Sequence, residues 1–484
     1  MSTYSILDKL RNIHPGWGLS IILIGFTLCR LPALHLPLFW DELGVDAPSV
    51  FELMENGVDI QPKALDPELS RGHPMLYVFV NALIGSLFGE NLVTLHVFNL
   101  LISLCVLVST FFLGRLLFGT MTGLLGAFLL ALQPIMHAQA TLILPEVSLS
   151  LAAIWMLYGY WSNNRLIYVM AGVCAVWLKE TAIFIPAALI LYELSTLVKS
   201  NQTITSRSFI SRLFWIGTPW LAFGGFLILQ KIQNGWFLFP YHTGLFDLSP
   251  GSIFKKLILY LQFLLVNQGR FLWLFWLVIG FVFAYLNRER NKPISEFLLS
   301  PVYQMAISYI GILVLFSSTN AYLNRYLLLV FPVLAILVAE QIAQIYLTWK
   351  NSPGLKALSM VTSLALLAVI PWLLPVKHFV YDEHPVFERQ LILTQAVVDE
   401  LVQNPEYNGC NIQCNWPIQD ALKMDYAGYR EEILPFYLLG PGDHLDFQIW
   451  MMPGSTSNPP PPDQTEIVKV MEYEGMSCTI FRRK

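Results

Sequence analysis

Long apolar runs, almost free of acidic residues, recur through the first 375 residues and constrain the fold more than any other feature. They lie at about 17–36, 92–114, 121–141, 147–162, 166–180, 182–198, 213–231, 270–287, 301–318, 325–347 and 357–375. Most have close to the roughly 17–25 residues that a tilted helix needs to cross lipid. The chain is 55% hydrophobic and 13% charged, with a mean hydropathy of +0.56. We therefore expect an all-α polytopic membrane protein with about 11 transmembrane helices.

The basic residues of the loops predict how the chain is oriented. With the short apolar run Pro74–Gly89 placed flat on the outer surface, they share one side: Lys9, Arg11, Arg115, Arg165, Lys199, Arg207, Arg212, Arg288, Arg290, Lys292, Lys350 and Lys356. The positive-inside rule assigns that side to the cytoplasm. The N-terminus is then cytoplasmic, the C-terminal part lies outside the inner (plasma) membrane, and the first run is an uncleaved signal anchor.

A change in composition near residue 376 predicts two domains. Residues 1–375 form the transmembrane domain, with long outer loops at 37–91 and 232–269. Residues 376–484 are expected to form a small extracytoplasmic α/β domain with its own core. Its helix is predicted at Glu388–Gln403, and its strands at Cys410–Asn415, Leu445–Met451, Ile467–Glu472 and Ser477–Phe481. One disulfide among Cys410, Cys414 and Cys478 is allowed but not required.

The acidic residues of the transmembrane domain cluster in the first outer loop. Eight of the 33 Asp and Glu residues lie between Asp41 and Glu68, soon after the first apolar run. Asp41 and Glu42 follow Trp40 at the lipid interface, where a charge without a role is costly. Such acids suit proton abstraction or metal binding. The alternative is that they solvate the end of the loop.

Three more charged residues fall at the outer ends of predicted spans. Glu146 follows Pro145 and either belongs to a site or stabilises the helix start through the helix dipole. Lys179 either holds a phosphate or forms a local charge pair with Glu180. Arg325 opens the tenth span, where it either grips a phosphate with its fork of donors or reaches the lipid headgroups.

His73, Tyr326 and His242 are weaker candidates for substrate contact, since a single His at a helix end is more often satisfied locally. No His, Cys and carboxylate spacing is diagnostic of a metal site. We therefore predict no metal ligand, and a divalent ion as cofactor stays an open alternative. The net charge of −4 does not indicate a basic surface that would bind nucleic acid. The sequence has no Walker, dinucleotide-binding or nucleophile-elbow motif.

In their order along the chain, these residues resemble the GT-C superfamily of membrane glycosyltransferases, in particular the protein O-mannosyltransferases and the aminoarabinose transferases of lipid A. The segment 39–42 is similar to the acidic motif of the first outer loop, and 71–77 to G-H-P-P-L-Y, with Met75 in place of the second Pro. The segment 113–119 looks like the basic turn before the third helix. Pro145-Glu146 is similar to a second acidic motif that more often has Asp, 177–180 to L-T-K-E, and 324–328 with Pro332 to R-Y-L-L-P.

The resemblance implies an inverting glycosyltransferase that takes a sugar from a polyprenyl-phosphate donor at the extracytoplasmic face. The acceptor is a hydroxyl on a protein, a lipid or a glycan. Transfer needs a base for the acceptor proton and a cation for the departing phosphate. We expect Asp41 to be the base, with its pKa raised by partial burial and by Glu42. Glu42 and Glu146 would shape the acceptor site, and Lys179 and Arg325 would hold the lipid phosphate.

Two other classes of function stay open. A membrane transporter or lipid flippase should have inverted repeats and charged or broken helices near the membrane midplane, and the sequence contains no repeat of fixed period. A non-catalytic scaffold with an extracytoplasmic binding domain would have no need for Asp41. The cluster of acids in an outer loop favours the enzyme.

Overall fold

The computed structural model describes residues 15–484 apart from 201–206, 241–243, 245, 288–299, 349–352, 377–381, 431–432, 440–444 and 453–458. Most described residues are helical. The longer helices are Pro15–Arg30, Ala47–Asn56, Leu76–Phe88, Leu92–Phe118, Thr120–Ala131, Pro145–Trp161, Arg165–Leu178, Phe184–Ser200, Arg207–Ile216, Thr218–Asn234, Pro250–Leu265, Phe271–Asn287, Pro301–Ser318, Phe331–Thr348, Pro353–Leu373 and Glu388–Gln403. Shorter elements at the site are a π-helical turn, Glu42–Asp46, and 3-10 helices at Glu180–Ile183 and Asn324–Val330.

Each predicted apolar run coincides with a helix or with two consecutive helices. Among the described residues, six helices are long and apolar enough to cross a membrane: Pro15–His35, Leu92–Phe118, Glu180–Leu197, Phe209–Asn234, Pro301–Ser318 and Asn324–Leu347. Other runs correspond to shorter apolar helices, such as Thr120–Ala131 and Phe271–Leu286. A mostly helical membrane protein is therefore confirmed, and the number of eleven crossings stays a prediction.

Apolar side chains on the outside of these helices fit a lipid environment. Ile21, Ile24 and Leu28 of the first helix are 59–68% exposed. Helices of soluble proteins turn such a stripe toward the protein interior, and a large exposed apolar surface marks contact with lipid or another protein. The helix starts are set by local chemistry: the side chains of Asn91 and Asn164 accept from the backbone N–H three residues later.

Glycines let the central helices pack closely. The helices Leu92–Phe118 and Thr120–Ala131 touch where a Cβ added to Gly114 would lie 2.9 Å from the Cα of Gly123. Small residues allow this backbone approach inside a membrane. The segment Asn324–Leu347 packs against this pair of helices, and 94% of its most apolar window is buried. Arg325, at its start, therefore belongs to the most enclosed part of the fold.

The C-terminal part contains the predicted helix and strands. The helix Glu388–Gln403 has the predicted bounds. The strands are β1 (Asn411–Cys414), β2 (Tyr437–Leu438), β3 (Phe447–Met452), β4 (Thr465–Tyr473) and β5 (Met476–Arg483). They form one sheet in the order β2-β1-β3-β5-β4. Strand β1 runs parallel to β2 and β3, and β5 runs antiparallel to β3 and β4.

The strand register excludes a disulfide between Cys414 and Cys478, and all six cysteines are free. Cys414 of β1 pairs with Ile449 of β3, whereas Cys478 of β5 pairs with Met451 of β3. Because neighbouring strands lie about 4.8 Å apart, two strands on either side of β3 are separated by roughly 9.6 Å. A disulfide needs Cα atoms within about 7 Å.

The C-terminal part shares a core with the first outer loop, whereas the sequence suggested a core of its own. The backbone N–H of Leu38 donates to the carbonyl of Ala427 at 3.0 Å, and the hydroxyl of Tyr429 donates to the carbonyl of Leu38 at 2.9 Å. Phe39 stacks on Phe387 with ring centroids 4.5 Å apart. Apolar side chains of both parts form one continuous cluster. These contacts fix the segment that leads into the π-helical turn.

Candidate active site

A cavity of about 430 Å³ opens where the first outer loop meets the ends of several helices. One wall is charged and consists of Asp41, Asp46, Arg71, His73, Glu146, Lys179, Glu180 and Arg325. The other wall is apolar and includes Ile183, Phe184, Phe223, Phe226, Leu227, Phe239, Phe246 and Phe316. The same cavity therefore offers one surface for a charged group and one for a hydrocarbon.

Arg325 lies at the centre of the charged wall and bonds three carboxylates. Its Nη2 donates to Asp41 and its Nη1 to Asp382, and its Nε donates to Oε1 of Glu146 at 3.2 Å. The Arg325 side chain is 5% exposed, whereas those of Asp41, Glu146 and Asp382 are 34%, 2% and 1% exposed. Asp41 is thus the most exposed of the three partners. Glu146 also lines the cavity, whereas Asp382 does not.

Lys179 is joined to Arg325 through a shared carboxylate oxygen. Its Nζ donates to Oε1 of Glu146 at 2.6 Å, the same atom that accepts from Arg325. The ammonium also lies 4.9 Å from the centroid of the Tyr326 ring, a cation–π distance. Lys179 is extended, with φ −159° and ψ 136°, and ends the helix Arg165–Leu178. The alternative of a local charge pair with Glu180 is secondary, because Lys179 forms its ion pair with Glu146 and Glu180 forms one with His73.

The π-helical turn Glu42–Asp46 sets the positions of the loop acids. The N–H of Ala47 bonds the carbonyl of Glu42, which is the i to i+5 spacing of this helix type. Such winding turns residues five apart toward one face, and Asp41 and Asp46 both line the cavity. Just before the turn, Trp40 has a φ of +54°, which is rare for a residue other than glycine.

The pKa of Asp41 is lowered, so the prediction of a raised value is wrong. Burial disfavours its carboxylate, but Arg325 outweighs burial, and Arg71 and Lys179 act in the same direction. Arg325 lies 284 residues further along the chain, which hides the contact from the sequence. Asp41 is consequently charged at neutral pH and held by an ion pair.

Glu42 is fully buried and does not line the cavity. Its Oε1 accepts from the N–H of Ile143 at 2.8 Å and lies 3.2 Å from Nε2 of His96. Its Oε2 accepts from the N–H of Phe39 at 3.1 Å. These bonds tie the first outer loop to the segment before Pro145. The geometry favours a positioning role for Glu42 over the predicted place at the acceptor.

The remaining candidates differ in their placement. His73 lies at the cavity with its Nδ1 3.0 Å from Oε2 of Glu180. Tyr326 also lines the cavity, and His242 lies outside the described residues. The cavity therefore brings together six of the residues that the sequence singled out, which are Asp41, His73, Glu146, Lys179, Arg325 and Tyr326.

Two acids at the site were missed from the sequence, Asp46 and Asp382. Asp46 was one of several acids in its loop, and nothing in the spacing marked the π-helical turn. Asp382 and Glu383 follow the last long apolar helix, much as Asp41 and Glu42 follow the first. That similarity was a usable signal. The segment is held in place because Nε2 of Gln139 donates to the carbonyl of Asp382 at 2.7 Å.

The charged wall contains pairs of opposite charge and no arrangement of metal ligands. Across the described ranges, three or more His, Cys, Asp or Glu side chains nowhere come together in a way that could hold a metal ion. Instead, each of Asp41, Glu146 and Glu180 faces a cationic or imidazole partner.

The fold matches solved structures of membrane proteins. ArnT from Cupriavidus metallidurans in the apo state is similar over 96% of this chain and 98% of that chain, with a TM-score of 0.57 and 14% identity. ArnT bound to undecaprenyl phosphate gives the same values. The Archaeoglobus fulgidus oligosaccharyltransferase in complex with Zn and sulfate is similar over 85% of this chain and 61% of that chain, with a TM-score of 0.50 and 12% identity.

The sequence comparison points the same way. Residues 72–240 match the sequence model of the family described as dolichyl-phosphate-mannose-protein mannosyltransferase. That segment includes His73, Glu146 and Lys179 but neither Asp41 nor Arg325. No curated protein sequence matches significantly. The predicted resemblance to the GT-C superfamily of membrane glycosyltransferases is confirmed by this family match together with the fold.

Proposed function

We propose that this protein is an inverting membrane glycosyltransferase that moves a sugar from a polyprenyl-phosphate donor to an acceptor hydroxyl. One observation carries the proposal: carboxylates and two buried cations share a cavity with a wall of aromatic side chains. The match of residues 72–240 to a mannosyltransferase family supports the reaction class. The similarity to ArnT bound to undecaprenyl phosphate supports a polyprenyl phosphate as the carrier.

The charged wall fits the charge changes of this reaction. The acceptor oxygen attacks the anomeric carbon, the bond from that carbon to the phosphate oxygen breaks, and polyprenyl phosphate leaves with the electron pair. A carboxylate takes the hydroxyl proton. The phosphate changes from a diester with one negative charge to a monoester with up to two. Arg325 and Lys179 would stabilise the charge that develops on it.

Donor binding requires Arg325 to exchange a partner. Each of its three nitrogens donates to one carboxylate, of Glu146, Asp382 or Asp41. Asp41 is the most exposed of the three, so the donor phosphate would meet the guanidinium from the Asp41 side. Lys179 lies next to it through Glu146. The phosphate would thus be held by a bidentate guanidinium and a point charge.

The apolar wall suits the isoprenoid part of the donor. Phe184 and Phe316 stack with ring centroids 3.8 Å apart, and Phe246 lies 6.5 Å from the Phe316 ring. An isoprenoid chain gains about 25 cal/mol for each Å² that it buries on such a surface. The acceptor would approach through the outer loops, on the extracytoplasmic face. Its hydroxyl belongs to a protein, a lipid or a glycan.

The experiment uses purified protein in nanodiscs with synthetic undecaprenyl-phosphate sugars that carry different hexoses and pentoses. Membranes from cells that lack the protein supply the acceptor. We expect release of undecaprenyl phosphate from one donor, measured by mass spectrometry, together with a matching mass gain in the acceptor fraction. The exposed variant Asp463→Asn should behave as wild type. The same protein in sealed liposomes tests the alternative, because movement of an intact donor across their bilayer, without cleavage, would identify a flippase.

A further inference from the structure

Asp46 differs from the other acids of the cavity because it has no partner of its own. Asp41 pairs with Arg325, Glu146 with Lys179 and Arg325, and Glu180 with His73. Asp46 lines the same cavity and is partly buried. Its side chain makes no hydrogen bond or ion pair with any residue that the structure describes. A carboxylate in this setting is unusual, since buried charges are normally paired.

The fold has no evident structural use for the Asp46 carboxylate. Asp46 is the N-cap of the helix Ala47–Asn56, where an Asp side chain commonly accepts from a backbone N–H of the first turn. No such cap bond forms, because φ −74° and ψ −46° continue the helix through Asp46. The preceding π-helical turn directs Asp46 to the same cavity as Asp41, five residues earlier. The side chain is thereby presented to whatever fills the cavity.

We propose that Asp46 is the catalytic base of the sugar transfer and that Asp41 holds Arg325. The inference rests on the proposed function. Asp46 accepts the proton of the acceptor hydroxyl as its oxygen bonds the anomeric carbon and polyprenyl phosphate departs with the electron pair. Asp41 is less suited to this step, because Arg325, Arg71 and Lys179 lower its pKa and with it the affinity of the carboxylate for a proton. A base needs a free oxygen within hydrogen-bond reach of the proton that it removes.

The environment of Asp46 gives it the proton affinity that a base needs. Its pKa is raised to about 7: burial is the main cause, Glu146 and Asp41 act in the same direction, and Lys179 and His73 act against them. The hydroxyl group of Tyr77 also interacts electrostatically with the Asp46 carboxylate. The short helices Pro67–Ser70 and Ile418–Lys423 pack on the turn and carry the charged residues Glu68, Asp420 and Lys423. A base with a pKa near the working pH is the most effective one.

The sign of the pH dependence follows from this role. Below pH 7 Asp46 is mostly protonated and cannot take a proton, so kcat/KM should rise with pH and level off above about 7. Asp41, whose pKa is lowered by Arg325, would be charged throughout this range. If Asp41 were the base, the rise would lie well below pH 7.

The test compares wild type with Asp46→Asn, Asp46→Glu and Asp41→Asn in the nanodisc assay, using the donor that wild type cleaves. Asp66→Asn is the matched control, because Asp66 lies exposed in the same loop and Asn can keep its cap. We expect Asp46→Asn to lower kcat by roughly 10²–10⁴-fold with little change in donor KM. Asp46→Glu should recover part of the rate. Asp41→Asn should lower donor KM, because it removes a carboxylate that competes with the phosphate for Arg325, and it should keep the rise of kcat/KM with pH that Asp46 governs.

Two results would overturn the inference. An Asp46→Asn variant that is monodisperse and keeps a near wild-type kcat and pH profile would show that Asp46 takes no proton. An acid limb that disappears in Asp41→Asn but persists in Asp46→Asn would return the role to Asp41. A wild-type protein that cleaves no donor would instead refute the proposed function, and this inference with it.

Discussion

The guanidinium of Arg325 and the carboxylate of Asp382 form a buried ion pair that joins the transmembrane domain to the C-terminal part of the chain. The two residues lie 57 positions apart. With Asp41 and Glu146 on the same guanidinium, one positive charge faces three negative ones. An anionic donor must therefore compete with carboxylates of the protein for Arg325. Through Asp382, the C-terminal part competes directly with an anionic donor for Arg325.

Asp382→Asn should strengthen donor binding. The change keeps an oxygen that can accept from Nη1 of Arg325 but removes one of the three charges that neutralise the guanidinium. We expect the Kd for undecaprenyl phosphate to fall by up to about tenfold, which corresponds to about 1.4 kcal/mol. Calorimetry on the nanodisc protein measures it, with the exposed Asp463→Asn as control. An unchanged or weaker affinity would mean that Asp382 does not compete with the phosphate.

Arg325→Lys should weaken donor binding even though it keeps the positive charge. Lys keeps the positive charge but not the planar fork of donors that bonds three carboxylates and, in the proposed complex, would also bond the phosphate. We expect the Kd for undecaprenyl phosphate to rise by roughly tenfold for Lys and further for Ala, given about 1.5–3 kcal/mol for a charged hydrogen bond. Because Arg325→Ala leaves buried carboxylates unpaired, that variant needs a check of monodispersity. Equal donor affinity in wild type and Arg325→Lys would contradict phosphate binding by the fork.

Glu42→Gln should reduce stability more than it reduces turnover. The carboxylate accepts from two backbone N–H groups and contacts His96, all in the protein interior. Loss of the charge should lower the free energy of unfolding by roughly 1–3 kcal/mol, seen as a lower midpoint of thermal unfolding in detergent. The exposed Glu55→Gln is the matched control. A variant with wild-type stability and no turnover would place Glu42 in the chemistry, as the sequence suggested.

The sequence predicted which residues belong to the site better than it predicted the contacts between them. Asp41, Glu146, Lys179 and Arg325 were recognisable because a charge at the edge of an apolar run is rare and costly. Their partners were not, because Arg325 bonds residues 284 and 179 positions earlier in the chain. Those separations also explain why the sequence predicted a raised pKa for Asp41, whereas its pKa is lowered.

The positions of Glu42 and Asp46 show a second limit of prediction from the sequence. In the sequence, Asp41 and Glu42 form an obvious pair, and Asp46 is one acid among several. The π-helical turn reverses this order by turning Glu42 into the interior and Asp46 toward the cavity. A single residue of extra winding has no clear signature in the sequence. The helix Glu388–Gln403, by contrast, was predicted with the right bounds because its apolar residues recur at helical spacing.

Gly72→Ala should disturb the cavity wall. Gly72 has a φ of +68°, and a Cβ there would lie 2.7 Å from the Cβ of Phe239 and 2.8 Å from the Trp236 ring. The backbone strain alone costs about 1–2 kcal/mol, and the crowding adds to it. Gly235→Ala is the control, since Gly235 has a φ of +84° in the left-handed region but open space around it. We expect a larger loss of thermal stability and of donor turnover for Gly72→Ala. Equal losses in both variants would show that contact with Phe239 is unimportant.

A contact, rather than a count of spans, places the C-terminal part on the same side of the membrane as the first outer loop. Leu38 of the first outer loop exchanges hydrogen bonds with Ala427 and Tyr429, and both parts share one apolar core. Two segments that share a core must lie on the same side of a bilayer. The number of crossings between them is then even.

The helix Pro15–His35, which is long and apolar enough to span, adds one more crossing before that loop. With that helix as a span, we expect an odd number of crossings, whether eleven or fewer, between residue 15 and the C-terminal part. With the basic loops in the cytoplasm, a reporter fused after Lys484 that works only outside the cytoplasm should be active. The same reporter joined to a chain truncated after residue 348, following one span fewer, should be silent. Activity of a cytoplasmic reporter after Lys484 would mean that the loop and the C-terminal part both face inward.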